Sequence, residues 1–350
     1  MTSNSTAITG IGSVSPYGPL AGLIPQRALE PESITAWPTA GPRRGFLVKP
    51  FRPADVVPGL KTRRLDRLSA WALVASSLAI QDAGIDLSDV DRSRVAVVFG
   101  TGFGCAELTQ AFFQSAAANG WSGTDPSPFP EGLANAPASH VALWHGLRGP
   151  NITIGSTGFA GESALIQAAS LLGHGQADLA IVLAGDTLTR AVYEWYEAAG
   201  LLSPACYNAE HLLPEGGGFV PSEGIVAFVL EPAGRKEARC YAHFSSGRCA
   251  AGGKAVEIIG AMLGGAVPSL TVCAGNGAPC AGSSTTALAR EVSGHDADIV
   301  PAQSAAAGLV DAGAFLHLIL ALSSRPRSGH VLSLGTSGDG SFAALLLELP

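Results

Sequence analysis

Short, continuous apolar runs recur along the chain, each bounded by Gly or polar residues: 7–12 (AITGIG), 95–100 (VAVVFG), 179–185 (LAIVLAG) and 225–231 (IVAFVLE). Unbroken runs of this length, rather than apolar/polar alternation, predict strands buried on both faces. Helical periodicity fills the intervals, over 68–83, which Gly84 closes, and over 162–172, which Gly173 closes. Strands alternating with helices predict an α/β layered fold. The second half repeats the grammar on a smaller scale. Residues 270–275 read as a strand ending in a Gly-rich turn, 311–322 as an apolar helix, and 329–335 and 342–348 as two more strands. Two related halves are therefore predicted, 1–235 and 236–350, with the Pro- and Gly-rich stretches 25–60 and 117–135 as long connections or cap elements.

Composition narrows the function. With 47% hydrophobic residues in 350, the chain buries a large core. The net charge is −7, and the densest basic cluster, KTRRLDR at 61–67, is interleaved with helix-type apolar positions. Both features argue against a nucleic-acid partner. Only 14% of residues are charged while 44 are Gly, which predicts close backbone packing and a surface partly covered by another subunit. The six cysteines include no CxxC pair and read as free thiols in a cytoplasmic protein. The N-terminus lacks a basic region followed by an apolar run, and no apolar run approaches the ~20 residues of a membrane span. A soluble protein with no signal peptide and no membrane partner is expected.

The usual chemical signatures fail one by one. FGTGFGC at 99–105 follows a strand, but Cys105 stands where a dinucleotide-binding GxGxxG requires Gly. Neither GxSxG nor a P-loop occurs, and the eight histidines show no metal-ligand spacing, so neither cofactor nor metal is expected. His317, on an apolar helix, reads as a core or interface residue. Cys273 and Cys280 flank AGNGAP without a nearby cation to activate a thiol. The informative stretch is ITIGSTGFAGESAL at 152–165, a strand running into a small-residue turn and then a helix. Many α/β enzymes mount a nucleophile at such an elbow, yet no Cys stands here.

Several of these stretches, in this order, resemble the β-ketoacyl synthases of the thiolase superfamily. DRL at 66–68 leading to AGI at 83–85 is similar to their early helix, VVFGTGFG at 97–104 to their V-GTG-G strand-turn, and GLRGPN at 146–151 to their GLRGP segment. GQADLAIVLAG at 175–185 resembles their G-ADVMVAGG strand, and PSEG at 221–224 with VLE at 229–231 their DGAG-LVLE. The resemblance implies a thiolase-like fold, with two related α/β halves in an αβαβα arrangement. It also locates the family's catalytic positions. The nucleophilic Cys falls on Gly158, or with a one-residue slip on Thr157 or Phe159; the His of the NAHGT turn falls on Gly275, or Asn276. The Lys and second His belong to 300–308, around Ala305, where neither residue type occurs. Nucleophile and bases are lost together, so no catalytic residue is assigned.

A retained fold with deleted chemistry resembles a chain length factor, the inactive half of a heterodimer with an active ketosynthase in type II polyketide systems. Gly158 differs from the Gln of aromatic-polyketide members, which favours the polyene-producing branch. The resemblance implies an acyl tunnel crossing the subunit interface and an acyl carrier protein bearing the growing chain. The helix after Gly104 would carry tunnel positions at Cys105, Leu108 and Phe112, spaced i, i+3, i+7, a spacing that an ordinary core stripe shares. Phe159 would plug the vacated site or simply pack in the core. Residues 151–157 would pair with the partner. Two other readings stay open: an acyltransferase or decarboxylase with relocated chemistry, Cys105 and Cys273 being the first candidates, and a non-enzymatic homodimeric scaffold.

Overall fold

A computed structural model describes residues 5–24, 32–34, 43–156, 158–202, 220–235, 239–275, 281–293, 298–301, 318–319, 322, 328–337 and 339–350. The first half contains β1 (Thr6–Ser15), β2 (Gly18–Ala21), β3 (Glu32–Ser33), β4 (Arg44–Gly45), α1 (Pro53–Val56) and α2 (Arg67–Asp82). It continues with β5 (Val95–Thr101), α3 (Ala106–Asn119), α4 (Ala136–His145), β6 (Asn151–Gly155), α5 (Ala160–Gly173), β7 (Leu179–Asp186), α6 (Arg190–Ala198) and β8 (Gly224–Pro232). The second half holds β9 (Ala242–Ala250), α7 (Ala255–Leu263), β10 (Pro268–Gly275), α8 (Ala281–Ser293), β11 (Asp298–Pro301), β12 (Gly329–Thr336) and β13 (Phe342–Leu349).

The apolar runs become central strands because each face meets a different layer. Val95, Val97 and Phe99 of β5 pack with α2, while Ala96 and Val98 turn to the opposite face, in one cluster with Ala164, Leu165 and Ala168 of α5. That second cluster continues into Leu270 and Val272 of β10 and Leu345 and Leu347 of β13. Cys273, Leu332 and Phe342 point away from it, into a third cluster with Ile259 of α7 and Ala289 of α8. Helix, sheet, helix, sheet and helix thus stack in five layers, with α5 in the middle.

The strand order β6-β5-β7-β8-β1 is repeated as β11-β10-β12-β13-β9. Corresponding pairs share direction: β5 with β6 and β7, and β10 with β11 and β12, are parallel, whereas β7–β8, β8–β1, β12–β13 and β13–β9 are antiparallel. Antiparallel pairing of β1 with β9, Ala7 opposite His243, joins the two sets into one sheet. The junction is tied down by Asp82, whose carboxylate accepts from the Ile11 amide (2.9 Å), the Tyr241 hydroxyl (2.8 Å) and the Arg239 guanidinium (2.7 Å). The helix predicted over 162–172 starts two residues earlier and runs through Gly173, closing at His174 rather than at Gly173. Most of the helix predicted over 311–322 lies outside the described residues.

Candidate functional site

The elbow is built by close backbone approach. β6 ends at Gly155, the Ser156 amide donates to the Thr101 carbonyl of β5 (3.1 Å), and α5 begins at Ala160. Gly158 adopts φ +144°, a conformation that side-chain-bearing residues rarely tolerate. Gly100 of β5 lies directly beneath the first turn of α5: a Cβ there would come within 2.3 Å of the Ala160 carbonyl oxygen. Phe159 is half-buried at the N-cap of α5 and caps no amide with its side chain. Thr157 lies outside the described residues.

In the first turn of α5 stands a group the sequence reading missed. Glu162 is 5% exposed, and its Oε2 has no hydrogen-bond partner. Burial pushes its carboxyl up to about 8. The adjacent Ser163 hydroxyl bonds Cys249 of β9 (3.6 Å). Desolvation and, to a lesser degree, the Glu162 carboxyl push that thiol up to about 11. At the end of β10, burial likewise pushes Cys273 up to about 11, although Arg290, a cation the local sequence did not reveal, lies close enough to oppose it. Gly275 closes β10; Asn276, Cys280, Ala305 and His317 lie outside the described residues. The Thr285 and Thr336 hydroxyls bond each other between α8 and β12.

The helix expected to carry tunnel positions is α3, and two carboxylates seat it. Asp186, at the end of β7, accepts from the Thr101 hydroxyl (2.6 Å) and from the amides of Gly102 (3.1 Å) and Phe103 (2.8 Å), which fixes the turn before the helix. Asp66 accepts from the Leu108 amide (3.1 Å). Burial raises the Asp66 carboxyl above the usual range, opposed by its backbone donors. Cys105 is buried at the N-cap of α3 against Ser69 of α2 (3.8 Å), and its thiol is pushed up to about 12 by burial. Leu108 lines a cleft of about 430 Å³ that also includes Phe51, Asp66, Arg67, Trp71 and Glu107. Phe112 is half-buried in an aromatic cluster with Phe113, Trp121 and Phe129 at ring distances of 5.3–6.5 Å. Cys105 and Leu108 therefore lie along the start of α2, and Phe112 one turn beyond among aromatics.

That aromatic cluster opens outward: Trp121 is 72% exposed, Phe113 and Phe129 are exposed, and so are Leu143 (76%) and Trp144 on α4. β6 is the terminal strand on this side of the sheet. Around the cleft, Lys49, Arg52, Lys61, Arg63 and Arg64 are exposed and make no ion pair among the described residues. Among those residues no group of His, Cys, Asp and Glu could hold a metal ion, and no helix is long and apolar enough to cross a membrane.

A strand-to-helix elbow at the centre of a doubled five-strand topology defines the class of thiolase-like α/β proteins. Residues 20–235 match the β-ketoacyl synthase N-terminal domain, and the chain belongs to that family. It is 25% identical over 317 residues to 3-oxoacyl-[acyl-carrier-protein] synthase 2 of Vibrio harveyi, covering 87% of this chain and 72% of that protein. Other relatives are matched over only 40–62% of their own length. Among solved structures, the ishigamide ketosynthase/chain length factor aligns at TM-score 0.72 and 20% identity over 99% of both chains. The AntDE:AntF assembly, a type II polyketide synthase acyl-carrier protein in complex with its ketosynthase bound to the hexaketide, aligns at TM-score 0.77 and 17% identity over 99% of both. These likenesses establish the fold.

Proposed function

We propose that this chain is a catalytically inactive chain length factor, which pairs with a Cys-bearing ketosynthase and shapes the acyl tunnel of the complex. One observation carries the reading: the elbow keeps its close-packed geometry, with Gly158 at φ +144° on the position that the resemblance gives to the nucleophile. The four free thiols among the described residues, Cys105, Cys240, Cys249 and Cys273, are all shifted away from the thiolate, which counts against relocated thiol chemistry. The edge strand β6 and the exposed Phe113, Trp121, Leu143 and Trp144 support a face for the partner, since an unpaired edge beside apolar surface invites strand addition. The unpaired basic residues around the cleft suit contact with an acidic carrier protein. Gly158 in place of Gln favours a polyene product.

Chain length then follows from packing. Extending an acyl chain against a close-packed wall costs about 1–3 kcal/mol or more, so bulk on α3 sets a threshold. In a reconstituted complex, Phe112→Ala and Leu108→Ala are expected to lengthen the products by one or more two-carbon units, read by mass spectrometry. An unchanged distribution from a folded complex would contradict the reading. Turnover of malonyl-carrier protein by the purified chain alone would favour relocated chemistry instead.

A further inference from the structure

The first turn of α3 has no cap of its own. Cys105 occupies the N-cap but its side chain caps no amide of the helix, and the opening amides of any helix lack intrahelical partners. The Leu108 amide is taken instead by Asp66 Oδ2 (3.1 Å), reaching across from α2. Asp66 Oδ1 meanwhile accepts from the Leu68 amide (2.9 Å), as the N-cap of its own helix. One carboxylate, 1% exposed, therefore caps two helices, and water has little access to replace it. Leu108 and Asp66 both line the 430 Å³ cleft, so the start of α3 is bordered there by open space rather than core.

We propose that Asp66 is a positioning residue that fixes the depth of Leu108, and thereby the chain-length limit that α3 imposes. The inference rests on the chain-length reading above. Held by Asp66, the first turn keeps Leu108 in place at the cleft wall; released, it can shift within that open space and carry Leu108 away from the position that the chain-length reading gives it against the acyl chain. Asparagine separates the two caps, because its single carbonyl oxygen keeps α2 capped while its amide nitrogen cannot accept from the Leu108 amide. Serine also caps α2, and is too short to serve α3.

The test uses the complex of this chain with a Cys-bearing ketosynthase and a malonyl-loaded carrier protein. Product lengths and total malonyl consumption are measured for the wild type, Asp66→Asn, Asp66→Ser, Leu108→Ala and the Asp66→Asn/Leu108→Ala pair. Asp66→Asn is expected to raise the share of products longer by one two-carbon unit about threefold, with consumption within about twofold of wild type, and to add nothing in the Leu108→Ala background. Asp66→Ser should reproduce that shift, and stands in where the Asn variant does not fold. Lengthening by Leu108→Ala with neither Asp66 variant shifting the products overturns the positioning role and leaves the chain-length reading intact. Additive shifts in the pair overturn it as well, since Asp66 would then act independently of Leu108. No shift in any variant overturns the chain-length reading itself.

Discussion

Replacing Glu162 by Gln is expected to raise the melting temperature by about 5 °C at pH 8 and to change it little near pH 5. Burial raises this carboxyl from 4.5 to about 8, so the folded chain keeps a proton that the unfolded chain releases. Stability therefore falls as pH rises from about 4.5 to about 8 and is flat above; the full contribution is present only below 4.5. At about 1.4 kcal/mol per pH unit the penalty reaches about 4 kcal/mol at pH 8 and stays under about 1 kcal/mol at pH 5. With an unfolding entropy of about 2.1 cal/mol/K per residue, 4 kcal/mol corresponds to about 5 °C. Gln removes the titration and leaves an unpaired polar group. Glu162→Met also removes the unpaired polar atom and should gain stability at both pH values. Parallel melting curves for wild type and Gln across this range would contradict the burial beside the elbow of a carboxyl whose Oε2 has no partner.

Gly100→Ala is expected to destabilise the chain by about 3 kcal/mol, lowering its melting temperature by about 4 °C. The new Cβ would stand 2.3 Å from the Ala160 oxygen, 2.5 Å from the Ala160 carbonyl carbon and 2.8 Å from the Gly161 nitrogen. All three are backbone atoms, so no side-chain rotation relieves the contact, and the first turn of α5 has to lift from β5. Gly155→Ala, one strand away, meets nothing within 4 Å and serves as the near-neutral comparison. Equal melting temperatures for the two variants would show that α5 does not rest on β5 as described.

How much was legible in the sequence follows from what each residue touches. β1, β5, β7 and β8 were readable because both of their faces are buried, which leaves an unbroken apolar run. β9 was not, since AHFSSGRCA is polar and mostly half-buried or exposed, with only Ala242 and Gly247 buried, and its pairing with β1 and β13 is non-local. The α8 segment, AGSSTTALAREVS, was not read as a helix either, since its low overall hydrophobicity hides the apolar stripe it carries. The elbow was visible as a strand-turn-helix, because Gly clustering marks close backbone approach. Glu162 could have been found: it shares the helical stripe of Leu165, Ala168 and Leu172, all buried, so its position already implied burial. Asp66 was locally readable as an N-cap before α2, but its second bond crosses 42 residues to α3, and nothing in the local pattern encodes that. The same holds for Asp186, which reaches back 84 residues to the Gly-rich turn.

The exposed aromatic face links these elements to the proposed role. A monomer would leave Trp121, Phe113, Leu143 and Trp144 in water beside an unpaired edge strand, an arrangement that favours association. Co-expression of this chain with a Cys-bearing ketosynthase from the same genome, followed by co-purification and native mass spectrometry, tests the account most directly. A one-to-one heterodimer that condenses malonyl units, with acyl groups trapped only on the partner's Cys, is the result this account predicts. A homodimer that excludes the ketosynthase, or an acyl group carried covalently by this chain, would contradict it.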